Sequence, residues 1–333
     1  MKAITYSNYG PPDVLRLSDV EIPEAGDDEV FIRVRAAEAT KSDCELRSFR
    51  FSVNWFWLPL RLAIGITRPR KQVLGGYFSG EILAVGKNVT QFATGMQVFG
   101  ATGLRFGAYG EYVNLPADST MVAKPGNMSF EEAAAVPLGG LNAIHFMRLA
   151  ELKPGEKVLI NGAGGSIGAH AVQIAKSMGA EVTAVDKAIK EPFLRGLGAD
   201  HFIDYQRQDF GSSGEKYDVI FDMVPRSSYR ACMQSLTDQG RYFTGNPRMS
   251  VMFRTLLTNV FTKRKASFAF AKERIEELEA LKEMIEARTI RPIVDQVFPM
   301  DRAAEAHRLV ETEERRGAIV IAIGEPENVS EPA

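Results

Sequence analysis

Four glycines fall within seven residues of this 333-residue chain: Gly162, Gly164, Gly165 and Gly168. They follow the apolar run Val158, Leu159 and Ile160 directly. Such a run suits a strand buried on both faces. Glycine lets a backbone turn tightly and approach a ligand with no Cβ in the way. After the turn, Val172, Ile174, Ala175 and Met178 mark a helix from Ala169 to Met178 that stops at Gly179. A second apolar strand, Glu181 to Val185, closes on Asp186. Strand, glycine turn, helix, strand and acid are the parts of a dinucleotide-binding βαβ unit. Its chemistry is anion binding: the free amides and positive end of the helix, at Ser166 and Ile167, face a diphosphate. Asp186 has acceptor oxygens for a ribose diol, which favours NAD, while Lys187 and Lys190 beside it suit a 2′-phosphate. A tight structural turn without a ligand is the alternative.

The elements around the turn divide the chain. Residues 1 to 120 hold short apolar strands at Ala3 to Tyr6, Val30 to Arg35, Glu81 to Val85, Gln97 to Phe99 and Tyr109 to Val113, separated by glycine turns. Close spacing of short strands predicts a barrel-like unit. From 121 to 266, strand and helix alternate, with strands at His201 to Ile203, Tyr217 to Asp222 and Gly240 to Gly245, which predicts a mainly parallel sheet with helices on both faces. Ser129 with Glu132 reads as a capping box. A helix is expected from about Asn142 to Ala150, after a Gly139-Gly140 break. From 267 to 333 the pattern gives an amphipathic helix on Ile275, Leu278, Leu281 and Ile285, a helix near Ala303 to Val310, a last strand Gly317 to Ile323, and a polar tail after Gly324.

Composition narrows the function. The net charge of −2 gives no general pull toward nucleic acid or anionic membrane. Two cysteines, Cys44 and Cys232, make neither a disulfide framework nor a cysteine zinc cluster, and fit a reducing compartment. The first residues lack the apolar core of a signal peptide, so a cytoplasmic protein is expected. The stretch from Phe49 to Ile66 is apolar but broken by Arg50, Asn54, Pro59 and Arg61, so no membrane span is expected.

These motifs together resemble the medium-chain dehydrogenase/reductase superfamily, in its zinc-independent quinone oxidoreductase (zeta-crystallin-like) type. The resemblance runs through Gly10 to Leu15, Leu74 to Gly80, Val85 to Thr90, Lys153 to Gly155, Val158 to Gly168, Leu197 to His201, Ile203 to Tyr205 and Ala304 to His307. It implies an α/β architecture: a Rossmann doubly wound parallel sheet at 121–266, plus a GroES-like β-rich catalytic domain from 1–120 that is completed by 267–333. It also implies an active site in the cleft between them, NADPH as cofactor with NADH open, a small hydrophobic carbonyl or quinone substrate, and a homodimer. No nucleic-acid or membrane partner is expected.

Alcohol dehydrogenases of the superfamily hold a catalytic zinc with Cys and with His-Glu from a Gly-His-Glu run. Those positions fall here on Thr40, Gly76 and Tyr77, which are not zinc ligands, so no metal is expected. Hydride transfer to an enone or quinone then needs only hydrogen-bond donors. Thr40, Lys41 and Tyr77 match the family's active-site loops and are the catalytic candidates. Thr40-Lys41 replaces an Asn-Pro common in quinone reductases. Lys41 can equally be a solvated surface lysine, and Tyr77 can equally be packing. Asn142 stands where relatives have a Thr beside the nicotinamide; Thr244, Gly245 and Asn246 end a sheet strand near it, Asn246 being otherwise a turn residue before Pro247. Phe51, Trp55, Phe56, Trp57, Leu58 and Leu60 form either a lid over a bulky substrate or ordinary packing or a dimer contact, and Val251 to Phe261 a second apolar lip. Two other functions stay open: a zinc-free alcohol or aldehyde reductase, and a non-catalytic NADPH- or RNA-binding scaffold.

Overall fold

The computed structural model describes residues 1–51, 57–225, 227–245, 247–268 and 271–324. Trp55, Phe56 and Asn246, and the polar tail, lie outside them.

The N-terminal unit begins with an antiparallel pair, β1 (Lys2–Thr5) and β2 (Arg16–Asp19). Next come β3 (Glu29–Ala39), α1 (Lys41–Ser48), α2 (Trp57–Ile64), β4 (Tyr77–Val85), β5 (Gln97–Ala101), β6 (Tyr112–Pro116) and β7 (Met121–Ala123). Alternation along β3 buries Val30, Ile32 and Val34 in one core with Phe78, Val98 and Leu115. Helix α1 starts where Thr40 caps it. The Thr40 hydroxyl accepts from the Asp43 amide, and the Asp43 carboxylate accepts from the Thr40 amide. Such a reciprocal cap contributes roughly 1 kcal/mol.

The second unit runs through α3 (Phe130–Ala134), α4 (Pro137–Leu149), β8 (Lys157–Asn161), α5 (Ser166–Ser177), β9 (Glu181–Asp186), α6 (Glu191–Gly196), β10 (His201–Asp204), β11 (Tyr217–Asp222), α7 (Tyr229–Ser235), β12 (Leu236–Thr244), α8 (Met249–Phe261), β13 (Lys265–Phe268) and α9 (Ile275–Glu286). Its six strands are all parallel, in the order β10-β9-β8-β11-β12-β13. That is the doubly wound order, with its switch point between β8 and β11. The Ser129–Glu132 capping box forms as expected.

Three expectations shift. Helix α4 begins at Pro137, not near Asn142. Gly139 and Gly140 are not a break: a Cβ on Gly139 would stand 2.4 Å from His170 Nδ1, and one on Gly140 2.7 Å from Leu281 Cδ1. They are the points where α5 and α9 press against α4. Lys263, Arg264 and Lys265, which follow the stretch expected as an apolar lip, lead into β13, a sixth strand that the sequence did not reveal. The domain limits also move. Strand β7 pairs with β5, so the boundary expected at 120–121 lies inside the first sheet's reach. Leu278, Leu281 and Ile285 of α9 belong to the nucleotide-side core. Only later does the chain return, through β14 (Val294–Pro299), α10 (Ala303–Thr312) and β15 (Ala318–Ala322), to complete the sheet order β14-β15-β3-β4-β5-β7 with β6 also on β3.

His307 on α10, part of the Ala304–His307 motif, is a packing group. Buried, with its pKa pushed down to about 3 chiefly by that burial, it stays neutral. Its ring nitrogens meet Arg47 at 3.1 Å, Cys44 at 3.4 Å and the Tyr109 hydroxyl at 3.0 Å, which ties α10 to α1.

Candidate functional site

The glycine turn forms at the carboxyl end of β8, at the switch point. Gly162 has φ +83°, a conformation that favours glycine, and its amide and that of Ala163 donate to Val185 O. A Cβ on Gly168 would stand 2.3 Å from Gly162 O and 2.6 Å from Ala163 Cα, so only glycine lets α5 seat this closely on β8. Gly165 caps α5 with no side-chain bond, and a Cβ there would find only Gly162 O at 3.9 Å. The space in front of the helix is therefore open. The Ser166 hydroxyl, buried in the first turn, has no hydrogen-bond partner among the described residues. An uncapped helix start and open space fit the diphosphate of a dinucleotide.

A cleft of about 540 Å³ opens from this turn. Gly162, Gly165, Ser166, Ile167 and Gly168 form its floor, Asp186 and Lys187 one side, and Met223, Val224 and Pro225 another. Lys41 closes it from the catalytic unit, with Ser42 and Glu45 on the same helix. Lys190 and Arg315 add positive charge. Lys41 pairs with Glu313 across the mouth, and Lys190 donates to Glu313 O at 3.0 Å. The chain's return is fixed here too: the Gly317 amide donates to Gly164 O at 3.0 Å.

Asp186 does not stand ready for a ribose. Its Oδ2 accepts from the Gly164 amide at 2.7 Å, and its Oδ1 from the Lys187 amide at 2.8 Å and faces Lys190 Nζ at 3.3 Å. With three donors on two oxygens it has little acceptor capacity left. These contacts pin the glycine turn.

Of the other candidates, Thr40, Tyr77, Asn142, Thr244 and Gly245 do not line this cleft. The Thr40 hydroxyl donates to Asp43 Oδ2 at 2.6 Å. The Tyr77 hydroxyl donates to Glu273 Oε1 at 2.8 Å. Asn142 donates to Leu138 O one helical turn back, at 2.9 Å. Thr244 is buried at the end of β12, and Gly245 follows beside Met223.

Two acids escaped the sequence reading. Asp222, ending β11, accepts from Asn161 at 2.9 Å, the Val224 amide at 3.1 Å, Tyr242 at 3.0 Å and Ser227. It holds the loop that walls the cleft; its place at a strand end was the available signal. Glu38, on β3, is fully buried and its Oε2 has no partner among the described residues. Burial lifts its carboxyl to about 8; Ser166 draws it down without closing a hydrogen bond of normal geometry, and the Arg315 charge opposes the shift further. Nothing in an Ala-Ala-Glu-Ala strand marks such a group.

The residues at the superfamily's zinc positions do not fit the ion. Thr40 is spent on a helix cap, Gly76 has no side chain, and Tyr77 is a protonated phenol held by Glu273. Among the described residues no group of three His, Cys, Asp or Glu could hold a metal.

A doubly wound parallel sheet with an open glycine turn, set against a β-rich unit across a cleft, defines a two-domain dinucleotide-binding protein of the dehydrogenase class. Comparison with known proteins agrees. The alcohol dehydrogenase GroES-like domain matches residues 26–126, and the zinc-binding dehydrogenase domain residues 197–321. The chain is 30% identical over 321 residues to the quinone oxidoreductase of Sus scrofa, covering 92% of this chain and 93% of that one. It is 28% identical over 334 residues to an NADPH-dependent alkenal/one oxidoreductase of Arabidopsis thaliana, covering 96% and 79%. The structure of a quinone oxidoreductase from Coxiella burnetii superposes with a TM-score of 0.86 at 29% identity, over 97% and 99% of the two chains. The chain belongs to the medium-chain dehydrogenase/reductase superfamily, quinone oxidoreductase type.

Proposed function

We propose that the protein is an NADPH-dependent reductase of conjugated carbonyls. A hydride goes to the electron-poor carbon of an enone or quinone, and a proton to the resulting oxyanion or carbanion completes the two-electron reduction. The open, uncapped start of α5 beside the Gly162–Gly168 turn carries this reading. The names of the pig and Arabidopsis relatives, a quinone oxidoreductase and an alkenal/one oxidoreductase, support the acceptor class.

When bound, the reduced dinucleotide supplies the hydride. The chain's own residues do the rest. The first turn of α5 takes the diphosphate, with Lys41 and Arg315 balancing its charge. Lys187 and Lys190, next to an Asp186 already occupied by its own loop, supply positive charge for a 2′-phosphate and favour NADPH over NADH. Met223, Val224, Pro225 and Leu138 give an apolar wall that excludes water. Lys41, whose pair with Glu313 is solvent-exposed and exchangeable, is the donor proposed for the developing oxyanion. Thr40 and Tyr77, outside the cleft lining, brace the catalytic unit with their hydroxyls held by Asp43 and Glu273. The reading takes the protein as a homodimer acting on small molecules in the cytoplasm, as the family resemblance implies.

The test is turnover with NADPH and NADH against short and long enones, quinones and simple aldehydes. The reading expects cofactor oxidation with enones or quinones. Turnover of aldehydes alone would favour the alcohol/aldehyde reductase, and cofactor binding without any turnover the scaffold.

A further inference from the structure

Helix α8 turns its apolar side outward. Met249, Phe253, Leu256, Leu257 and Val260 recur at helical spacing and all are exposed, Phe253 at 62% and Val260 at 72%; Phe261 follows at 78%. The inward side carries Thr255, which is buried, and Thr258, whose hydroxyl meets Tyr229 at 2.7 Å. A helix that only packs on its own core is arranged the other way round. Large apolar side chains exposed together mark a contact surface.

Charge indicates the partner. Residues 239–272 contain seven Lys and Arg and no Asp or Glu, in a chain whose net charge is −2. Arg241 and Arg264 are engaged with Glu156 and Asp238. Arg248, Arg254, Lys263 and Lys265 are exposed and form no ion pair among the described residues. They bracket the stripe: Arg248 precedes it, Arg254 flanks it, and Lys263 and Lys265 follow it. A second copy of this segment would bring cations and no acid to pair with them. An anionic bilayer is complementary: its acyl boundary takes the apolar stripe and its headgroups take the cations.

We propose that α8 is an interfacial anchor by which the protein binds anionic lipid surfaces. The helix has 13 residues, and among the described residues no helix is long and apolar enough to cross a membrane, so it lies in the plane of the surface. The expectation of no membrane partner rested on spanning stretches and on net charge, neither of which an in-plane helix needs. Helix α2 has a similar character: Trp57, Leu58 and Leu62 are exposed, and residues 46–80 contain six Lys and Arg and no acid. The proposal stands on α8 and does not depend on the reaction assigned above.

Co-sedimentation of the full chain with phosphatidylcholine vesicles, with and without about one-third phosphatidylglycerol, tests it. Binding is expected to the anionic vesicles alone and to weaken with salt. The double variant F253D/V260D is expected to lose roughly tenfold or more in binding, with the sedimentation coefficient unchanged. R254Q/K263Q, which leaves the apolar stripe intact, is expected to lose roughly fivefold per cation. Absence of binding to anionic vesicles, undiminished binding by both variants, or dissociation of an oligomer by F253D/V260D would overturn it, the last making a second copy the occupant.

Discussion

The two walls of the cleft are built differently. On the nucleotide side, the glycine turn faces the cleft with main chain: an uncapped helix start and open space over Gly165. On the catalytic side, Lys41 lines the cleft paired with Glu313, and outside the lining Thr40 pairs with Asp43 and Tyr77 with Glu273. A wall of backbone is fixed by where glycines fall, because only they permit the turn. Apart from the local Thr40–Asp43 cap, the catalytic side depends on partners far away in sequence; Glu313 lies 272 residues from Lys41 and Glu273 196 from Tyr77.

The largest effect should come from adding bulk to the backbone wall. Gly168→Val forces a side chain against Gly162 O and Ala163, displacing α5 from β8. Overpacking of this kind costs about 1–3 kcal/mol, and moving the amides removes the diphosphate site as well. Thermal unfolding should drop by several degrees, and dinucleotide binding should fall below detection in the same sample. Binding retained with a lowered Tm would mean that the turn is structural only.

Asp186→Ala comes next. Losing the acceptor for Gly164 loosens the turn and leaves Lys190 without its carboxylate. Affinity for NADPH and NADH should fall together, roughly tenfold, the cost of one charged hydrogen bond. A selective gain for NADPH, measured by titration with both, would restore Asp186 as a ribose-reading residue and put a side chain into the backbone wall.

This is where legibility divides. The strand–turn–helix–strand order, the parallel sheet and the Ser129–Glu132 capping box were readable because period, glycine and cap residues act over a few positions, whereas Thr40, read as a catalytic candidate, caps α1 instead. The function of Asp186 was not: its position was clear, but the Gly164 amide claims it only once the turn has folded back. Gly139 and Gly140 read as a break because two helices press there, which no local pattern encodes. Residues 251 to 261 read as an apolar lip, and α8 does expose them; that its buried side holds Thr255 is visible only in three dimensions.

A smaller effect concerns Glu38, buried on β3 in the catalytic unit. Its carboxyl, raised from 4.5 to about 8 mainly by burial, keeps a proton that the unfolded chain releases. The sign follows: between about pH 4.5 and 8 the unfolded state binds fewer protons, so stability falls as pH rises, by up to about 1.4 kcal/mol per pH unit, and levels off above. Glu38→Gln removes this slope. Its Tm should gain on that of the parent from pH 5 to pH 8, in a thermal scan of both proteins across that range, by about a few degrees. Parallel Tm curves would mean that Glu38 is solvated and ionised.

The central claim is that the Gly162–Gly168 turn holds a dinucleotide diphosphate, and calorimetric titration of the full chain with NADPH and NADH tests it most directly, set beside Gly165→Glu. A Cβ at Gly165 meets open space, so the variant should fold with an unchanged Tm while its carboxylate occupies and repels the diphosphate. The account predicts one saturable site in the parent, tighter for NADPH, and none in the variant. No saturable heat with either dinucleotide, or equal binding by Gly165→Glu, would contradict it.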